Sequence, residues 1–347
     1  MTRRLAVSRA VLIAAIVTTA CGGDDAGVPA RDAAALRSTN ACEVREAGSR
    51  WAPPGGRYAA VAGAEYGRRE GEKLADVWGL AATPAGEVFI LDAGNTRVVE
   101  LDRDLKFVRT FGREGQGPGE FRYQRVSAFT AWAAADDSSL FIMDLQAVSE
   151  FDPNTLLRAD TMPSLPRVRG RVIRGGFNDQ AEPLWAVHRR CAFVSDGAGD
   201  WILRADLTEN RGDTLPLPPR EIPARTAEDE ARLERNREMI AGFMARAGVS
   251  TAELRRVKPT ARLKWSGMTV DPDGFVWLEP WRPYSMQDDP LTVWVVHPAT
   301  GAVDSVVIAD GGFPEAFLPG RRFVSLAYDT ATSVRFIRLY ALVHAVE

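Results

Sequence analysis

A short apolar strand with a bulky aromatic inside it returns along this chain at near-regular spacing, and that recurrence narrows the fold more than any other feature. Gly86-Glu-Val-Phe-Ile-Leu-Asp92 is followed by Ser139-Leu-Phe-Ile-Met-Asp144, by Pro183-Leu-Trp-Ala-Val187 and by Gly274-Phe-Val-Trp-Leu-Glu279. Phe89 to Phe141 is 52 residues and Phe141 to Trp185 is 44. Trp185 to Trp277 is 92, or about two periods. A period of roughly 40–50 residues is that of a four-stranded propeller blade. Between the aromatic strands lie short β-rich runs punctuated by Gly, Asp, Asn and Pro, the signature of many antiparallel strands. The expectation is an all-β chain folded as a β-propeller.

The first unit is the clearest. Leu91-Asp92-Ala93-Gly94-Asn95-Thr96-Arg97-Val98-Val99-Glu100-Leu101-Asp102 leads to Phe111-Gly112-Arg113-Glu114-Gly115-Gln116-Gly117-Pro118-Gly119-Glu120-Phe121. This resembles the NHL repeat and related bacterial six-bladed propellers, in which an Asp-x-x-Asn-x-Arg-aliphatic turn joins two strands and a Gly-rich loop leads to the next blade. The resemblance is strong over residues 78–121 and implies six blades; five also fit the chain. Asp92, Gly94, Asn95 and Arg97 read as turn scaffold. Asp and Asn bond turn amides and tolerate left-handed backbone, Gly fits a tight turn, and Arg97 can tie the turn to a neighbour. The alternative is that Asp92 and Asn95 ligate a metal in a central channel.

Between Pro223 and Lys258 the pattern turns helical. Thr226 is a candidate cap, Glu228 and Asp229 sit in the first turn, and Leu233, Ile240, Phe243, Met244 and Ala247 share a face. Ser250-Thr-Ala-Glu253 opens a second short helix in capping-box form. Strand patterns resume at Leu263, so 224–258 is expected as a helical insertion. The last unit, Arg322–Tyr328 and Val334–His344, supplies about two strands, and Arg57–Tyr66 is expected to complete it and leave no free edge.

The N-terminus carries an address. Arg3, Arg4 and Arg9 precede the apolar run Val11–Val17, which is too short to span a bilayer. Thr18-Thr19-Ala20-Cys21-Gly22 resembles the lipobox of bacterial lipoproteins, with Thr18 where leucine is usual, and implies lipidation of Cys21; a plain secretory signal is the other reading. Residues 1–20 are read as signal peptide, 21–55 as a flexible tether and 56–347 as the propeller, placed in the cell envelope facing the periplasm or exterior. With 43 basic and 46 acidic side chains the net charge is −3, so nucleic acid is excluded as a partner. If Cys21 carries lipid, Cys42 and Cys191 are left as an even pair for a disulfide in an oxidising compartment; the alternative is two separate thiols.

In a blade whose first strand is innermost, second-to-third-strand loops and inter-blade connections open on one face. His188-Arg189-Arg190-Cys191 through Asp200, Pro280–Asp289 and the helical insertion are expected there. The candidate ligand residues are His188, Arg189, Glu279, Trp281, Arg282 and Tyr284: aromatics to stack, a fork-shaped cation, and polar contacts suited to planar, sugar-like or anionic ligands. The competing reading has Trp281 and Tyr284 packing the insertion and Arg282 pairing with Asp288 or Asp289. The chain has no Gly-x-Ser-x-Gly, Cys-x-x-Cys, His-Glu-x-x-His or phosphate-binding loop. No catalytic residue, metal ligand or cofactor is assigned. The expected function is a non-enzymatic binding module for a small molecule, glycan or envelope protein, anchored to the membrane through its lipid. The alternatives are a hydrolase or lactonase-like enzyme that uses carboxylates around the channel with a divalent metal, and a structural subunit of an envelope complex; a separate reading gathers His188, His297 and His344 around the axis as zinc ligands.

Overall fold

A computed structural model of the chain describes residues 57–114, 131–133, 140–144, 147–151, 158–162, 184–188, 191–206, 211–232, 234, 235, 238, 263–283, 289–309, 312–329, 331, 332 and 334–344. After β1 (Arg57–Tyr66), the strands fall into consecutive antiparallel meanders. Blade 1 holds β2 (Val77–Ala82), β3 (Val88–Asp92), β4 (Arg97–Leu101) and β5 (Phe107–Phe111). Blade 2 holds β6 (Ala131–Ala133), β7 (Leu140–Asp144), β8 (Ala147–Phe151) and β9 (Arg158–Met162). Blade 3 holds β10 (Leu184–His188), β11 (Cys191–Ser195), β12 (Trp201–Asp206) and β13 (Arg211–Pro216). Blade 4 holds β14 (Trp265–Val270), β15 (Val276–Pro280), β16 (Leu291–Val296) and β17 (Val303–Ile308). Blade 5 holds β18 (Ala316–Leu318), β19 (Arg322–Asp329) and β20 (Val334–His344).

The protein is an all-β propeller. Its first strand closes its last blade: β1 lies antiparallel to β20 from Tyr58↔His344 to Tyr66↔Ile337, as the sequence led one to expect. The innermost strands neighbour one another in the order β2, β6, β10, β14, β18, and β18 returns to β2. The described residues thus form five blades, the smaller of the two counts the sequence allowed. Blades 4 and 5 also join at their rims, where β1 runs parallel to β17 through Arg57↔Val307 and Tyr58↔Ile308.

The repeat is real but its third unit starts one strand later than the sequence spacing suggested. Phe89, Phe141 and Trp277 lie on second strands, whereas Trp185 lies on β10, a first strand. Its true counterpart is Phe193 on β11, which follows Phe141 by the same 52 residues that separate Phe141 from Phe89. Two apolar strands, β10 and β11, paired from Leu184↔Ser195 to His188↔Cys191, gave two candidate phases.

Period-two alternation explains the core, because each blade packs on neighbours at both faces and a strand must be apolar on both. On β15, Val276 and Leu278 join Phe193, Ile202 and Trp265 toward blade 3. Trp277, between them, turns the other way to join Phe317, Phe323 and Tyr340 of blade 5. On β19 the same switch sends Phe323 toward blade 4 and Val324 toward Val88, Ile90 and Leu101 of blade 1. Trp277 meets Phe317 edge-on at 5.0 Å, and its indole N–H donates to Asp271 Oδ2 at 2.9 Å. The buried polar end is therefore satisfied.

The turn after β3 is scaffold. Asp92 is fully buried; Oδ1 accepts from the amides of Ala75 (3.0 Å) and Asp76 (3.3 Å), and Oδ2 from Asn95 Nδ2 (2.7 Å) and Arg97 Nε (2.8 Å). Arg97 also donates to Lys73 O at 3.0 Å, tying the turn to the segment that enters blade 1. Both carboxylate oxygens of Asp92 are thus engaged by donors of the turn and of the segment before it, as a turn scaffold requires. Left-handed backbone falls on Thr96 (φ 50°) rather than on Asn95 or Gly94. Gly94 is needed for space: a Cβ there would lie 2.8 Å from that of Ala75.

The insertion starts as expected. Thr226 caps a helix, α1, over 227–232: its Oγ1 accepts from Asp229 N at 3.2 Å while Asp229 Oδ2 accepts from Thr226 N at 2.7 Å. This reciprocal pair is a capping box with Asp in the third helical position. The second expected helix, the signal segment and the tether lie outside the described residues.

Candidate functional site

Strand direction carries β11 into the 196–200 loop, β13 into the insertion and β15 into the loop that begins at Trp281, all at one end of the ring. The start of β14 is where they meet. Gly197 O accepts from the amides of Lys264 (2.7 Å) and Trp265 (3.0 Å), and Gly199 O accepts from Trp265 Nε1 at 3.2 Å. Lys264 Nζ pairs with Asp200 Oδ2. Lys264 O accepts from Trp281 N at 2.8 Å. Arg220 ties the set together: Nη1 donates to Lys264 O (2.8 Å), Nη2 to Trp281 O (3.3 Å), and its guanidinium lies 5.5 Å over the Trp265 ring. Burial pulls the Arg220 pKa below the usual arginine value. Sequence reading overlooked Arg220, which sits in a Pro-rich stretch with no periodicity to mark it.

Beside this clamp, two carboxylates come together from adjoining blades. Glu279, on β15, lies across from Gly267 of β14. A Cβ on Gly267 would lie 3.0 Å from Glu279 Oε2 and 3.0 Å from the Phe313 ring, so glycine leaves room for both. Glu315 immediately precedes β18. Its amide donates to Val324 O at 3.0 Å and its Oε1 accepts from Leu326 N at 2.9 Å, so the side chain continues the ladder where β18 has ended. Its carbonyl accepts from Thr269 Oγ1 at 3.0 Å.

Both glutamates are partly exposed, yet both hold their protons more tightly than usual. For Glu279 burial is the main cause, opposed by a hydrogen bond from the Ser266 hydroxyl and by the charge of Arg282. For Glu315 burial again dominates; the Leu326 amide opposes it and the nearby Glu279 charge adds to it, leaving the pKa pushed up to about 7 from 4.5. Accessible carboxylates with raised pKa values are a mark of functional sites. Glu315 was legible in principle, as the one charge inside Phe313-Pro-Glu-Ala-Phe-Leu318.

A raised carboxylate pKa makes a testable demand on stability. The folded chain keeps a proton that the unfolded chain loses between pH 4.5 and about 7, so stability is greatest below this window and falls across it. The loss is about 2 kcal/mol, after allowing for partial exposure. E315Q keeps the acceptor for Leu326 and removes the titration. It is expected to unfold at higher urea than the parent at pH 8 and at the same urea at pH 4; parallel pH profiles would show that Glu315 is not the group responsible.

The expected ligand residues divide. Glu279, Trp281 and Arg282 lie at the loop-rich end, with Trp281 and Arg282 half-buried. Arg282 Nη1 donates to Asp289 O at 2.8 Å, bracing its own loop. His188 closes β10 at the β10–β11 turn, the opposite end of the ring, so it does not join them. The phase slip at Trp185 explains the misplacement. Arg189 and Tyr284 lie outside the described residues, as do Cys21 and Cys42. The three histidines are dispersed: His297 follows β16 and meets Phe275 edge-on at 5.2 Å, and His344 ends β20 against Tyr58 at 5.1 Å. Among the described residues no group of three or more His, Cys, Asp or Glu is placed to hold a metal ion. Cys191, buried at the start of β11, is disulfide-bonded. Among the described residues no helix is long and apolar enough to cross a membrane.

No family model and no curated protein matches the sequence. Solved structures that it resembles include a glutaminyl cyclase of Myxococcus xanthus, at 14% identity over 83% of this chain and 99% of that one, with a TM-score of 0.40. Another is virginiamycin B lyase of Staphylococcus aureus, at 10% identity over 78% of this chain and 66% of that one, with a TM-score of 0.33. The fold assignment rests on the strand order given above.

Proposed function

We propose that this protein is an exported, lipid-anchored binding module that holds a small, donor-rich molecule at the loop-rich end of the propeller, between blades 4 and 5. The observation that carries the reading is that Glu279, at the loop-rich end of β15, and Glu315, just before β18, both hold their protons more tightly than usual, with the Glu279 charge contributing to the shift at Glu315. Two partly exposed carboxylates in surroundings that disfavour their charge gain most from a ligand that brings protonated amines or several hydroxyls. Trp281, two residues after Glu279, supplies an aromatic side chain of the kind that suits the flat face of a sugar or an ammonium group. Anionic ligands are disfavoured, because Arg282 is engaged with its own loop and the pair repels negative charge. The N-terminal lipobox-like segment and the disulfide at Cys191 support export to an oxidising envelope.

A thermal-shift screen tests this with spermidine, glucosamine and neutral oligosaccharides against citrate and inorganic phosphate. At least one amine or sugar probe is expected to raise Tm, with the gain lost in E279Q and E315Q. A response confined to the anions would refute the assignment. A second reading rests on Glu315, whose pKa of about 7 lies in the range for general acid–base catalysis at neutral pH. Turnover of a binding probe, with a pH–rate limb near 7 that vanishes in E315Q, would replace the binding-only reading with an enzymatic one.

A further inference from the structure

We propose that the ligand of the loop-rich end is a cationic amine, and that each molecule taken up drives one proton out of the site, so that capture belongs to neutral pH and release to acid. The inference rests on the binding reading above and narrows it to one ligand class.

β14 is the shared wall. Gly267 and Thr269 stand two apart on it and therefore face the same way. At Gly267, Glu279 Oε2 and the Phe313 ring each come within 3.0 Å of the place a Cβ would occupy. At Thr269 the hydroxyl donates to Glu315 O at 3.0 Å. One strand face thus gathers Glu279 of blade 4 and the 313–315 segment that leads into blade 5. The charges that act on the two carboxyls are their own and that of Arg282. The neighbouring elements otherwise present the Ser266 and Thr269 hydroxyls, the Phe313 ring and the Leu326 amide, which do not titrate. Lys264, just before β14, is paired with Asp200, and Arg338, opposite Ser325 on β20, with Glu65.

Arg282 supports the charge of Glu279; that of Glu315 has the Leu326 amide in its favour and Glu279 against it. A ligand with hydroxyls alone can bind the protonated Glu315 as it stands. An ammonium brings the missing positive charge, and its attraction is realised only on the ionised carboxylate. On binding, the O–H bond of the Glu315 carboxyl breaks, the proton passes to the buffer, and the ammonium N–H takes its place as donor. The Glu315 pKa is about 7, so the free site is about half ionised at pH 7 and about one-tenth ionised at pH 6. Amine affinity should therefore fall about tenfold from pH 8 to pH 6.

Calorimetric titration of the full chain with 1,5-diaminopentane tests this, since lysine-type amines stay charged throughout that range. Runs in two buffers of different ionisation enthalpy count the protons. About half a proton per site is expected at pH 7 and nearly one at pH 6, with Kd rising about tenfold from pH 8 to pH 6. E315Q should bind weakly, with no proton exchange and no pH dependence; the proton count on the parent decides the matter if that variant does not fold. Diamine binding without proton release, or the same pH dependence in E315Q, overturns the proposal. Binding of maltotriose but not of the diamine also overturns it and leaves the binding reading standing. Binding of neither removes both.

Discussion

Asp92→Ala is expected to destabilise the propeller by about 3–5 kcal/mol, the range for removing one partner of a buried charge pair. The substitution strips the acceptor from four donors at once: two amides of the segment entering blade 1, the Asn95 side chain and the Arg97 guanidinium. Arg97 is left mostly enclosed without its counter-ion, and the 75–76 amides are left without an acceptor beside the close approach at Gly94. Urea unfolding of D92A, R97A and the double variant measures the effect. The double variant should lose clearly less than the two singles summed, because the pair shares one interaction. A loss below about 1 kcal/mol in D92A would place the residue outside the scaffold.

Reduction of the Cys191 disulfide is expected to have an effect of the same size. With Cys42 as its partner, the expectation drawn from the sequence, the bridge would close a loop of about 150 residues, which in the chain-entropy description contributes about 4–5 kcal/mol. For a chain of this length that corresponds to a fall in Tm of about 7 °C. Thermal unfolding followed by circular dichroism with and without reductant reads the shift. A Tm unchanged by complete reduction, with a free Cys191 thiol verified by alkylation, would mean that the unfolded chain gains nothing measurable from release of the loop.

The propeller could be read from the sequence because two local signals agree: an aromatic strand that recurs along the chain and, in the first blade, a turn chemistry marked by Asp92, Gly94, Asn95 and Arg97. The closing role of Arg57–Tyr66 could be inferred because the last unit was two strands short. The phase of the third unit could not, since Leu184–Val187 and Cys191–Ser195 are equally strand-like and their order in the blade depends on tertiary pairing. That slip moved His188 to the wrong end of the ring. Of the site itself, Glu279, Trp281 and Arg282 were visible as unusual residues at a strand end. Glu315 and Arg220 were missed because each owes its role to neighbours distant in sequence: Leu326 and Glu279 for one, Lys264 and Trp281 for the other.

Because β1 is hydrogen-bonded to β20, the earliest folded strand to leave the ribosome must wait for the most distal one before it finds its permanent place. Until then blade 5 is a sheet with a bare edge and the ring is an open arc. The ring acquires its locked form only once β20 is available to pair with β1, and any truncation that removes β20 leaves an exposed strand able to recruit another chain.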